Sequence, residues 1–255
     1  MKLAPQPGPH EAFLWWTRPE PAPPAEAAPQ AVALPRSGAA AELALLSSGE
    51  REVWQRALSA DYRSQYLATR VLARRALGHA LGAPPESLAF TRTPAGRPEL
   101  APPSPLRFNL SNTEGLVVCL LSAHHEVGVD VERESRGAKL LQLAPTVFSA
   151  AEQRDLQALA PKLRERRAVV LWALKEAYLK ARGKGLSLPL DRFSFGFDGS
   201  GDVPARFEVD ASLLDDAGRW QFHTLLLGDH RISAAIACPP SDPVALRLRE
   251  LVRQV

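Results

Sequence analysis

The sequence predicts an α+β fold made of a pseudo-two-fold pair of similar lobes, with the active site in the cleft between them. Two observations carry this expectation. A helical stretch, a strand and a strand hairpin follow one another in the first half, and the same order returns in the second. With 255 residues, 45% of them hydrophobic, the chain can also bury the core that two small packed lobes require. No residue-level repeat accompanies the repeated order, so the duplication is read from architecture alone.

Taken in order, the first ten residues are proline-rich and are expected to lack fixed structure. EAFLWWT (11–17) suits a first strand, and the Pro/Ala-rich stretch 18–40 a long surface loop. Ser47-Ser48-Gly49-Glu50 reads as a helix start, followed by a long helix through DYRSQYLATRVLARRALGHAL. Tyr62, Tyr66, Ala73, Leu77 and Leu81 share one stripe of that helix, and Gly82 with Pro84-Pro85 stops it. Strands follow at SLAFTRT, LRFNLSN, LVVCLLSA and Glu126 to Glu132. The second half gives a helix from Arg167 to Arg182, a strand at RFSFGF, and strands RWQFHTLLL and RISAAIAC joined by a Gly228-Asp229 hairpin. VALRLRELVRQV predicts a C-terminal amphipathic helix. The expected organisation is therefore an N-terminal region 1–40, lobes at 41–125 and 126–240, and a C-terminal helix over 241–255.

Composition narrows the function classes. Net charge is only +3, and Lys and Arg are scattered rather than clustered, which argues against nucleic acid; the pI near 9.1 still permits an anionic partner. Cys119 and Cys238 lie in apolar runs, as buried thiols do, and no zinc-ligand spacing is present. No apolar run approaches the ~18–20 residues of a membrane span, and the start lacks a signal-peptide core, so no membrane role and a cytoplasmic location are expected.

Four local patterns carry chemistry. In Val127-Gly-Val-Asp130-Val-Glu132, strand alternation puts both acids on one face and the valines on the other. Paired carboxylates repel, and a hard cation such as magnesium or manganese would relieve them; hydrated acids on a solvent-facing strand would look the same. Trp172, Glu176 and Lys180 share one helix face, although Glu176 and Lys180 alone would pass for an ordinary surface pair. Ser149 to Glu152 fits a helix capping box. Gly96-Arg97-Pro98 and Ser111-Asn112-Thr113 offer a close-approach turn, a guanidinium fork and hydrogen-bonding groups, or are simply turns.

In series, GRP, FNLSNT, VGVDVE, FSAAE, WALKEAYLKARGKGLSLPL and DRFSF resemble the Sfp-type 4′-phosphopantetheinyl transferases, from about Ser48 to Phe197. The resemblance implies coenzyme A and Mg²⁺ (or Mn²⁺) bound between two similar halves. It also implies transfer of phosphopantetheine to a serine of an apo acyl or peptidyl carrier protein, releasing adenosine 3′,5′-bisphosphate, by a chain needing no second copy. A coenzyme A-binding homologue without turnover and a metal-dependent phosphohydrolase are the alternatives. The resemblance places Asp130, Glu132 and Glu176 on the metal, Lys180 on coenzyme A phosphate, and Glu152 or Glu176 in proton transfer. Gly96, Arg97, Ser111, Asn112 and Arg51 fall on coenzyme A contacts, with Arg97 replacing the commoner lysine, Asn112 a frequent histidine, and Trp54 near a second basic position. Arg154, Lys162, Arg164 and Arg166 are candidate contacts for an acidic carrier, or an ordinary solvated face.

Overall fold

The computed structural model describes residues 6–19, 37–183 and 188–251. The expected surface loop over 18–40 lies largely outside them, and its last residues are helical instead, opening the helix Ser37–Ala44. The first strand, β1 (Glu11–Thr17), forms where expected. Residues 6–10, expected without fixed structure, are tied to the body through His10 Nδ1, 2.7 Å from the Asp242 carboxylate.

After α1 (Ser37–Ala44), α2 (Ser48–Arg56) opens with the capping box of Ser47 and Glu50, and α3 (Ala60–Leu81) is capped afresh by Ser59. Extended backbone at Ala57 separates the two. Gly82 closes α3 at φ 63°, a left-handed conformation that glycine adopts at little cost. A ribbon of β2 (Ala89–Arg92) and β3 (Pro98–Ala101) follows, then the hairpin β4 (Arg107–Thr113) and β5 (Leu116–Ser122).

The second lobe begins with β6 (Val127–Arg133) and runs through α4 (Gly137–Val147), α5 (Ala150–Ala158) and α6 (Pro161–Arg182). It continues with the ribbon β7 (Phe193–Phe197) and β8 (Pro204–Val209) and the hairpin β9 (Trp220–Leu227) and β10 (His230–Ala237). The apolar run LLQLAPTVF (140–148), which from sequence could line a docking groove or be core, lies mainly in α4, and Leu140, Leu141, Ala144, Val147 and Phe148 pack into the lobe's core.

The expected C-terminal helix is corrected: Ala245–Glu250 is a strand, β11, running parallel to β1. Leu246 and Leu248 alternate with Arg247 and Arg249, a period that also suits a strand, and the open edge of β1 supplies the backbone partners.

The two lobes share a plan. The sheets run β11-β1-β5-β4 and β6-β10-β9, with β1-β5-β4 and β6-β10-β9 each antiparallel throughout. Each lobe has a 22-residue helix closed by a left-handed glycine. Alternation lets each sheet pack on both faces. Leu14, Val118 and Leu120 meet Val127, Val129, Ile232 and Ile236 in a core between the sheets, whereas Phe13, Val117, Cys119 and Leu121 pack with α3. Both cysteines are buried free thiols. No helix of the described residues is long and apolar enough to cross a membrane.

Behind α6, Asp215 closes an aromatic cluster. Its carboxylate accepts from Tyr178 Oη (2.7 Å), Arg182 (2.7 Å) and Trp220 Nε1 (2.8 Å). Burial opposes its ionisation, but these donors win and hold it below the ordinary aspartate value of 3.8. Because the folded-state value is depressed, the stabilisation is full above the unfolded value and is lost as pH falls through the folded one. Asp215→Asn should cost about 2–3 kcal/mol at neutral pH. Urea denaturation should show that deficit shrinking below pH 3.8; a constant deficit would refute the ionic account.

Candidate active site

The two sheets meet edge to edge where β4 lies beside β6. Here the first lobe supplies side chains in place of a strand ladder. Asn109 Oδ1 accepts from Val129 N (2.9 Å), and Ser111 Oγ accepts from Val131 N (3.3 Å). Buried backbone donors need such partners. Ser111 also donates to Asp130 Oδ1 at 2.9 Å, so both lobes hold the first carboxylate.

Asp130 and Glu132 do share a face of β6, but the face is not solvated. They are 5% and 6% exposed and lie beneath α6. Gly128 permits that approach: a Cβ there would sit 2.0 Å from the Ala177 carbonyl oxygen. Gly128→Ala should therefore push α6 off β6 and destabilise the fold by about 3 kcal/mol or more. A thermal melt within 1 °C of the parent would contradict this close approach.

The facing stripe of α6 carries the other predicted residues. Trp172 Nε1 donates to Glu132 Oε1 (3.0 Å), and Lys180 Nζ reaches Asp130 Oδ1 (2.7 Å), Ser111 Oγ (2.9 Å) and the Val129 carbonyl (3.2 Å). Glu176 lies between them, and no described residue donates a hydrogen bond to it. Burial first, then repulsion from Asp130, raises Glu176 and Glu132 above the usual glutamate value, and Lys180 offsets part of this for Glu176. Asp130 Oδ2 is sealed without a hydrogen-bond partner. Three carboxylates share this pocket with two cations, Lys180 and Arg136, and their oxygen chemistry fits a hard divalent cation. The ligand set is not closed: among the described residues no three such groups converge as a metal site. Lys180 occupies one oxygen of Asp130, while Trp172 and Arg136 share one of Glu132.

The other predicted residues divide between the cleft and elsewhere. Gly96 turns the β2–β3 ribbon at φ 83°, and Arg97 beside it bonds the Phe108 carbonyl (3.3 Å) and Glu126 (3.4 Å). Arg97 lines a polar cavity with Thr93, Glu126, Arg182, Gly183 and Arg219, which reaches the end of α6. Asn112 donates to Thr69 on α3 at 3.4 Å. Arg51 is exposed on α2 and bonds the Leu46 carbonyl (2.7 Å); none of its hydrogen bonds joins it to the carboxylates. Lys184 to Ser187, the centre of the GKGLSLPL motif, lie outside the described residues.

Residues 36–125 match the family model "4'-phosphopantetheinyl transferase, N-terminal", and residues 126–236 match "4'-phosphopantetheinyl transferase superfamily". A 4′-phosphopantetheinyl transferase of Bacillus subtilis is 32% identical over 161 residues, 63% of this chain and 70% of that protein. The chain belongs to the 4′-phosphopantetheinyl transferase family. The transferase HetI of Nostoc is 32% identical over 147 residues, of which the match spans 56% of this chain and 62% of HetI. Among solved structures, the "Chronobacterium ammoniagenes ACPS-CoA complex" is a slight likeness, 18% identical with a TM-score of 0.37, covering 45% of this chain and 97% of that one.

Within this transferase fold, Glu152 sits apart from the other acids. It caps α5 through Ser149, accepts from Phe195 N (3.0 Å), pairs with Lys175 Nζ (2.8 Å), and is 1% exposed. A carboxylate so filled with donors and closed to solvent is poorly placed to take a proton from a substrate. The sequence showed the capping box but gave no sign of Lys175 as its partner. Arg136 and Asn109 were also missed; for Arg136 the only signal was its spacing four residues after Glu132. Of the candidate carrier contacts, Arg164 bonds the Gln157 and Leu159 carbonyls, whereas Arg154, Lys162 and Arg166 are exposed, Arg166 while pairing with Asp202.

Proposed function

We propose that the chain transfers the 4′-phosphopantetheine group of coenzyme A to a serine hydroxyl of an apo acyl or peptidyl carrier protein. Adenosine 3′,5′-bisphosphate is the second product, and the reaction depends on Mg²⁺. The observation that carries this reading is the juxtaposition of Asp130 and Glu132 on β6 with Glu176 and Lys180 on the facing stripe of α6, in a chain of this family.

Phosphoryl transfer is mostly a matter of positioning and charge neutralisation. Asp130, Glu132 and Glu176 would hold a divalent cation, which when bound supplies neutralising charge for the diphosphate. Ser111 and Lys180 fix the direction in which Asp130 points. The Lys180 ammonium, beside that carboxylate, is placed to share the charge that develops on the leaving nucleotide. Arg97, across the cleft at the end of α6, is placed for the anionic nucleotide end. The carrier serine oxygen attacks the β-phosphorus, and the bond from that phosphorus to the bridging oxygen breaks. Of the two candidate carboxylates, Glu176 is the better placed to take the serine proton, being partly accessible where Glu152 is sealed.

Mass spectrometry of an apo carrier after incubation with the protein, coenzyme A and Mg²⁺ tests the reading. Addition of the phosphopantetheine group is the expected result. Coenzyme A binding with no transfer to any of a panel of acyl and peptidyl carriers would mean a non-catalytic homologue. Nucleotide release without a carrier would mean a phosphohydrolase.

A further inference from the structure

Glu132 is held by a cation to which the proposed chemistry gives no task. Arg136 ends a short 3₁₀ turn (Glu134–Arg136) after β6, and its Nη1 pairs with the same Glu132 Oε1 that accepts from Trp172. The partners are unequally placed: the Glu132 side chain is 8% exposed and that of Arg136 is 37% exposed. The acid is fixed in the seam, whereas the guanidinium reaches it from solvent. Its charge is also felt by Glu176, whose ionisation it favours.

Lys180, the other internal cation, is differently held. It makes three contacts within the seam and is 28% exposed. Among the described residues Arg136 has one hydrogen-bonding partner, so its release costs less, and the freed guanidinium regains water. A hard divalent cation requires carboxylate oxygens at about 2.0–2.1 Å and tolerates no positive charge beside them without repulsion. Arg136 and such an ion therefore compete for the charge of Glu132.

We propose that Arg136 is a displaceable counter-cation, competing with the divalent metal for Glu132 and thereby setting the metal affinity of the site. The proposal rests on the metal reading above. Arg136 stabilises the acidic cluster while no ion is present and must swing away when one arrives. It is a positioning residue, acting on metal and substrate only through Glu132.

Titration of the full chain with Mn²⁺, followed by electron paramagnetic resonance without coenzyme A, tests it. Arg136→Gln should bind Mn²⁺ about fivefold more tightly than wild type. Arg136→Lys should fall between them, and raising the salt should narrow the gap. Unchanged or weaker Mn²⁺ binding by Arg136→Gln, with wild type binding normally, would overturn the proposal. Failure of wild type and every variant to bind Mn²⁺ would instead overturn the metal reading beneath it.

Discussion

Glu176→Gln should lose transfer activity by roughly 10³-fold and yet melt at a higher temperature than wild type. The two effects share one cause. Glu176 is buried beside Asp130 and Glu132 without a hydrogen-bond donor among the described residues, so its ionised form is disfavoured in the folded protein. Removing the charge relieves the fold by about 1 kcal/mol at neutral pH. Since folding raises the value, the wild-type penalty is present above the folded pKa and fades as pH falls toward the unfolded value of 4.5, where the advantage of the variant disappears. Asp130→Ala should be just as inactive, but it strands Lys180 and Ser111 and should not gain stability. Carrier loading and calorimetry measure the two effects separately. Full activity in Glu176→Gln would end the proposed role of this acid.

Lys175→Met should be the most destabilising of these substitutions, at about 3–5 kcal/mol. Lys175 is 0% exposed, and its three N–H bonds are filled by Glu152 (2.8 Å) and the carbonyls of Leu190 (2.8 Å) and Phe193 (2.7 Å). Its loss leaves a buried carboxylate and two carbonyls without their donor, and it unties α5, α6 and β7 together. Burial pushes Glu152 up and Lys175 down, so neither is comfortable without the other. Chemical denaturation gives the cost. Glu152→Gln, assayed in whatever fraction stays folded, separates this structural task from proton transfer. Specific activity should be unchanged, and a large loss would return Glu152 to the mechanism.

The parts legible in the sequence were those governed by short-range pattern. Strand alternation placed Asp130 and Glu132 on one face, helical spacing placed Trp172, Glu176 and Lys180 on another, and Gly82 marked the end of α3. Pattern failed where a distant partner decides the outcome. β11 is a strand because β1 has an edge to pair with; the Leu/Arg alternation over 246–249 suits a strand, but VALRLRELVRQV reads equally as an amphipathic helix. Pro145, which denies the backbone a donor near the end of α4, hid that helix. The Glu152–Lys175 pair and the grip of Arg136 on Glu132 join elements that come together only in three dimensions.

The repeated plan of the lobes makes the seam at β6 one of two comparable places, and only one of them is equipped. On β1, the strand that corresponds to β6, the helix-facing positions are occupied by Phe13 and Trp15 rather than by acids. Counted back from the closing glycines, Glu176 and Lys180 correspond to Arg75 and His79, and the imidazole of His79 packs against Trp15 at 5.5 Å. Arg249 of β11 covers Phe13 from 3.6 Å. One half of the chain has thus become a buttress and the other a workbench. On the proposed function, a single divalent ion per chain and a single carrier served at a time would follow from this division of labour.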